Sequence, residues 1–212
     1  PYTGSYGNVL IKGVGKILSL LEDTPWQMDE KDIESFSKLV YDSFVPVTYK
    51  GETMPMVGGR SISRAPGARK QSFGSATIYN LLLASNFASE PYKTQLKEAA
   101  KYWILEDQSE YYFNNNRDLR DLLEVKAVLK DASVSGTTVP FKGSKMFPSM
   151  DRFIHTSDHF SLGISMYSSR ISAFEAGNSE HKKGWFTSDG MTYLQNQDKM
   201  FGESYWPTVD WY

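Results

Sequence analysis

The chain contains no cysteine, which excludes disulfide scaffolds, thiolate metal sites and cysteine nucleophiles. No apolar run approaches the roughly 18 residues that cross a bilayer, so no membrane partner is expected. Net charge is small: 23 Lys+Arg against 25 Asp+Glu leave −2, without the basic excess usual in nucleic-acid binders, so no nucleic-acid partner is expected. Histidine is scarce. His155, His159 and His181 are the three, and although His155 and His159 stand four apart, no HExxH pattern surrounds them. Walker loops, a GxGxxG turn after a strand and a GxSxG elbow are also missing, which leaves nucleotide-dependent and serine-hydrolase chemistry without support. The first residues, Pro1-Tyr2-Thr3, carry neither Met nor a charged-then-apolar leader, and are read as the start of a processed chain or fragment. What is present is an ordinary globular composition over 212 residues, 40% hydrophobic and 23% charged, which excludes wholesale disorder. Aromatic residues reach 14%. Rings in that quantity fill a large core, or line a cleft where they stack on apolar sugar faces.

The hydrophobic period divides the chain into two halves. Up to about residue 130 apolar positions recur every three or four residues, as in Val9 to Leu21, a helix closed before Pro25. A second helix is expected from near Asp29 through Phe44, a third from about Ser72 to Phe87, and a fourth after Ser89 and Pro91 through Ile104. A fifth is expected to be capped by Asn116 and to bury Leu119, Leu122, Leu123 and Leu129. Residues 133–150 are rich in Ser, Gly, Thr and Pro and read as a linker. Beyond them Phe160, Leu162, Ile164 and Met166 alternate with Ser161, Gly163, Ser165 and Tyr167, the period of a strand. Trp185–Thr187 and Met191–Leu194, joined through Ser188-Asp189-Gly190, read as a hairpin. Helices followed by strands imply an α+β, two-domain chain: a helical part over 1–132, a linker over 133–150 and the start of an antiparallel sheet domain over 151–212.

Three segments carry candidate chemistry. Between Glu52 and Glu90 there is no acidic residue, while Arg60, Arg64, Arg69 and Lys70 cluster after Gly58-Gly59. Glycines let backbone approach a ligand, and arginines four apart can meet carboxylates or sulfates through paired N–H bonds. The same stretch is also consistent with a solvated basic loop. Tyr2-Thr3-Gly4-Ser5-Tyr6-Gly7-Asn8 places a phenol at a helix start, where it serves either proton transfer or packing. Ser168 to Asn178 contains Glu175, a surface charge or an orienting carboxylate.

Together these stretches resemble polysaccharide lyase family eight, the hyaluronate, chondroitin AC and xanthan lyases. The matching residues are Tyr2-Thr3-Gly4-Ser5-Tyr6-Gly7-Asn8-Val9-Leu10, Gly59-Arg60-Ser61-Ile62-Ser63-Arg64, Ser168-Ser169-Arg170, Lys183 to Met191 and Tyr205-Trp206-Pro207-Thr208-Val209. The stretch from about 71 to 148 matches least. The resemblance implies the end of an (α/α) toroid followed by antiparallel β-sheets, with the polysaccharide cleft between them. It implies that Tyr6 protonates the glycosidic oxygen and in some proposals also takes the C5 proton, that Arg60 favours the ionised tyrosine, that Arg64 contacts sugar, that Glu175 holds this cluster and that Asn178 lies near the bound chain. Many relatives carry a positive residue just before Gly59, where this chain has Gly58.

The implied activity is β-elimination of a polyanionic, uronate-containing polysaccharide, hyaluronate first, with chondroitin or xanthan as alternatives. A non-catalytic carbohydrate-binding module of the same fold is the alternative from another class. No cofactor or metal is implied, and the implied location is secreted, outside a bacterial cell. The family's histidine base and its carboxylate-neutralising asparagine precede the tyrosine, and neither has a counterpart here, so this segment alone is expected to be inactive.

Overall fold

The computed structural model describes residues 2–64, 73–106 and 118–196. Arg69, Lys70, Asn116 and the Tyr205–Val209 stretch lie outside them. Helix α1 spans Asn8–Leu21, α2 Glu30–Phe44, α3 Phe73–Phe87, α4 Tyr92–Glu106 and α5 Leu119–Lys130. A two-residue pair, β1 (Thr48–Tyr49) with β2 (Glu52–Thr53), interrupts the helices. A four-stranded antiparallel sheet follows in sequential order: β3 (Gly143–Phe147), β4 (Arg152–Thr156), β5 (Phe160–Ser165) and β6 (Met191–Asn196).

The helix bounds follow from local chemistry. Asp29 caps α2, its carboxylate accepting from the Asp32 N–H at 2.8 Å, and Glu30 and Asp32 set negative charge in the first turn. α5 is capped by Asp118, which accepts from the Arg120 N–H. Its buried stripe differs from the expected one. Val125 and Val128 face the core with Leu129 packed beside them, while Leu119 and Leu123 are 70% and 56% exposed. Residues 119 and 123 are one turn apart, so they share a stripe, and that stripe points away from α3 and α4.

Two cores meet at a wedge formed by residues 45–63. Ile11, Val40, Phe44, Leu81, Leu96 and Trp103 centre the helical core. Val47, Met54, Met56, Val57 and Ile62 from the wedge close over Ile154 and Tyr193 of the sheet. β5 keeps the expected period of two, and its Ser161, Gly163 and Ser165 face is the more buried one. Gly163 explains this: a Cβ there would lie 2.9 Å from the Met56 thioether, so the wedge rests directly on bare backbone.

β3 lies inside the stretch read as a linker. Its Lys145 reaches across to α2, donating to the Asp42 carbonyl at 2.8 Å. The expected hairpin at 185–194 does not form. Residues 185–189 make a chain of turns, and β6 pairs with β5 instead. The Tyr193 hydroxyl donates to the Thr187 carbonyl, and Ser188 is taken by buried Arg152, so this segment is folded back as a loop. Arg152 also donates to the carbonyls of Met150 and Met166, and lies within 3.5 Å of the Met56 carbonyl. One guanidinium thus ties the wedge, the turn before β4 and both ends of the β5–β6 connection into a single frame.

Candidate functional site

The site forms where that frame meets the start of α1. Thr3–Gly7 is a wide π-type turn in which the Gly7 N–H donates to the Tyr2 carbonyl at 2.9 Å, a geometry often found at functional sites. Asn8 anchors the turn from below: its side chain donates to the Gly4 carbonyl and to Thr77 Oγ1, and Asn80 of α3 donates to Asn8 Oδ1. Held this way, Tyr6 stands 54% exposed with Tyr2 edge-on against its ring, centroids 5.6 Å apart. Burial, with Glu175 second, raises the pKa of Tyr2 and keeps that hydroxyl neutral.

Arg60 sits in the 3-10 turn Gly59–Ser63. Its Nη1 donates to the Tyr6 hydroxyl at 3.1 Å and to Glu175 Oε1 at 2.5 Å, while its backbone N–H donates to Glu175 Oε2 at 2.9 Å. The Tyr6 hydroxyl and then the Glu175 carboxylate raise the Arg60 pKa, so the guanidinium stays charged. Gly59 makes this approach feasible. Its φ is +59°, and an added Cβ would fall 2.6 Å from Glu175 Oε2 and 2.8 Å from the Tyr2 ring.

A second carboxylate, Glu180, completes the cluster and has no place among the residues expected from sequence. Its Oε2 accepts from Arg60 Nε at 3.1 Å and Arg64 Nη2 at 3.1 Å, and its Oε1 accepts from Arg64 Nε at 2.7 Å. The hydrogen bond from Arg64, with the charge of both arginines, lowers the Glu180 pKa against the opposing effect of burial. The available signal was charge complementarity: an acid-free basic loop needs carboxylates from elsewhere, and Glu175 and Glu180 bracket one short turn. Asn178 lies in that turn. Gly177 and Glu180 pair through their backbones, with Asn178 (φ +52°) and Ser179 (φ +63°) as left-handed central residues, the form of a type I′ turn.

The structure therefore brings Tyr6, Arg60 and Glu175 into direct contact and joins Arg64 to them through Glu180. Asn178 is exposed at the turn tip, and among the described residues no hydrogen bond links its side chain to the cluster. Tyr6, Arg60, Arg64 and Glu175 line a cleft of about 260 Å³ together with Ser5 and Val9. Because Arg60 donates to the Tyr6 oxygen, the phenolic proton is not engaged by that contact. The arrangement sets a cationic donor 3.1 Å from a half-exposed hydroxyl at the cleft wall.

His181 backs the cluster without entering the cleft. It is 2% exposed, its Nδ1 lies 2.8 Å from the Glu175 carbonyl, and Phe174 packs edge-on against its ring. Burial lowers its pKa, with the contact to Glu175 opposing. The unfolded chain binds a proton that the folded chain refuses, so stability falls as the pH drops below the ordinary histidine value of about 6.5. Melting temperatures at pH 7.5 and 5.5 are expected to diverge in the wild type by more than in His181→Asn, whose amide can still reach the Glu175 carbonyl.

Comparisons with known proteins point to one family. Residues 1–102 match the description "Polysaccharide lyase family 8, N terminal alpha-helical domain", and residues 142–212 match "Polysaccharide lyase family 8, super-sandwich domain". Hyaluronate lyase HylB of Enterococcus faecalis is 48% identical over 100% of this chain, which spans 21% of that protein. Among solved structures, a Paenibacillus xanthan lyase superposes with a TM-score of 0.87 at 31% identity, covering 97% of this chain and 19% of that one. A Streptomyces coelicolor A3 chondroitin AC lyase in complex with chondroitin sulphate superposes with a TM-score of 0.88 at 26% identity, covering 99% of this chain and 30% of that one. From its helical start to its sheet, the chain belongs to polysaccharide lyase family 8.

Proposed function

We propose that this chain carries part of the catalytic cleft of a bacterial lyase that cleaves hyaluronate by β-elimination. The observation that carries the reading is the contact of Arg60 with the Tyr6 hydroxyl at 3.1 Å, at the wall of an open cleft. In such an elimination a base takes the proton from C5 of the uronate, a C4–C5 double bond forms, and the C4–O bond breaks. Tyr6 gives its proton to the departing oxygen, and Arg60, fixed from behind by Glu175, stabilises the phenolate. Both groups are held in place before substrate arrives, so little reorganisation accompanies the proton transfer. Arg64, 38% exposed, faces the anionic chain, and Asn178 at its turn tip contacts the sugar. Hyaluronate is favoured over xanthan because identity to the Enterococcus faecalis hyaluronate lyase is 48% and to the Bacillus xanthan lyase 35%. The helical part through Asp131 is assigned to the end of a toroid, and the sheet from Gly143 to the start of a sandwich. A polymer substrate places the enzyme outside the cell, since such chains do not cross a membrane intact.

The arginine pair tests this reading in the full-length polypeptide. Arg60→Ala is expected to lower kcat by about 10²-fold with little change in KM, because its contact strengthens as charge develops. Arg64→Ala is expected to raise KM as well as lower kcat. A change confined to KM in Arg60→Ala removes it from the proton-transfer step.

A further inference from the structure

Resting on that reading of the cleft, we propose that Glu180 is a positioning residue that couples Arg60 and Arg64 into one unit and limits how strongly Arg64 holds an anionic chain. Three of its contacts are to guanidinium nitrogens, at 3.1, 3.1 and 2.7 Å, and they are shared between the two arginines. No other carboxylate among the described residues forms an ion pair with both. Glu175 holds Arg60 through Nη1, and Glu180 holds it through Nε, so the guanidinium plane is fixed from two edges. A planar fork held at two edges has a defined direction toward the Tyr6 oxygen. The carboxylate is itself rigid: its side chain is 19% exposed, and its backbone closes the type I′ turn with Gly177.

The charge count gives the second half of the proposal. Arg60 and Arg64 bring two positive charges and Glu175 and Glu180 two negative, so the cluster is neutral where a polyanion is to bind. Without Glu180 the same wall would carry one net positive charge. It would grip the polymer harder, release product more slowly and orient Arg60 less firmly. Glu180 thus sets affinity against turnover at this wall.

The test is Glu180→Gln in the full-length polypeptide, which keeps the side-chain shape and removes the charge. Binding of a fluorescently labelled hyaluronate oligosaccharide is expected to become about threefold to fivefold tighter at low ionic strength, a gain that shrinks as salt is added. In the same variant kcat for polymer cleavage is expected to fall at least about tenfold while KM does not rise. Glu180→Asp keeps the charge and should retain the wild-type salt dependence of binding. A role in stability alone would lower the melting temperature and weaken binding and turnover together. Unchanged or weaker binding in Glu180→Gln, or an unchanged kcat, overturns the proposal. If the wild type binds but cleaves nothing, the lyase reading fails, and tighter binding by Glu180→Gln still upholds the restraint on Arg64.

Discussion

Tyr6→Phe in the full-length polypeptide is expected to lower kcat for polysaccharide cleavage by about 10²- to 10⁴-fold, the range contributed by a positioned proton donor. Binding should not change, and the two together distinguish this substitution from a structural lesion. The ring of Tyr6 is half in solvent and makes its main packing contact edge-on with Tyr2, which phenylalanine preserves. The hydroxyl accepts a hydrogen bond from Arg60 and, in the proposed elimination, supplies the proton, and only those roles are deleted. Arg60 keeps its two carboxylates, so the guanidinium stays in place in the variant. Isothermal titration with a hyaluronate oligosaccharide checks the binding, and continuous turnover checks the rate. Near-normal turnover would remove Tyr6 from the chemistry.

Gly59→Ala is the second substitution with a large expected effect, and it acts through backbone. A φ of +59° costs a non-glycine residue about 1–3 kcal/mol, which lowers the melting temperature of the domain that carries it in the full-length polypeptide. The added methyl also has nowhere to go. It would sit 2.6 Å from Glu175 Oε2 and 2.8 Å from the Tyr2 ring, and it can be accommodated only if the carboxylate leaves the Arg60 N–H. Turnover is therefore expected to fall by more than the loss of folded protein explains. Differential scanning calorimetry alongside kcat at a temperature well below the transition separates the two effects. Wild-type turnover would mean that Glu175 is not needed where the structure puts it.

The helical half was legible because its apolar period is strong, and the Asp29 cap sits where the sequence expects α2 to open. The α5 surface was not, since three leucines within Leu119–Leu123 satisfy more than one helical stripe, and tertiary contacts with α3 and α4 choose between them. The hairpin at 185–194 had the correct turn dipeptide, yet Ser188 and Thr187 are claimed by Arg152 and Tyr193, contacts that local sequence does not encode. The site divides in the same way. Arg60 and Arg64 stood out through the missing acids around them; in the structure Arg64 pairs two guanidinium N–H groups with the protein's own Glu180, and Arg60 gives one each to Glu175 and Glu180. Arg60 and Glu175 are 115 positions apart, a separation no spacing rule spans, and the family resemblance alone linked them. Glu180 escaped both routes: it sits in a tight turn after Asn178, and only the fold shows that this turn lies against the arginines.

The measurement that bears most directly on the proposed chemistry is the ultraviolet absorbance of the unsaturated uronate, followed with the full-length polypeptide on hyaluronate, chondroitin and xanthan in parallel. Elimination predicts a steady rise on hyaluronate that exceeds the other two and is lost in Tyr6→Phe. No rise on any of the three, with polysaccharide binding intact, would contradict the lyase reading and leave a sugar-binding cleft built on the same fold.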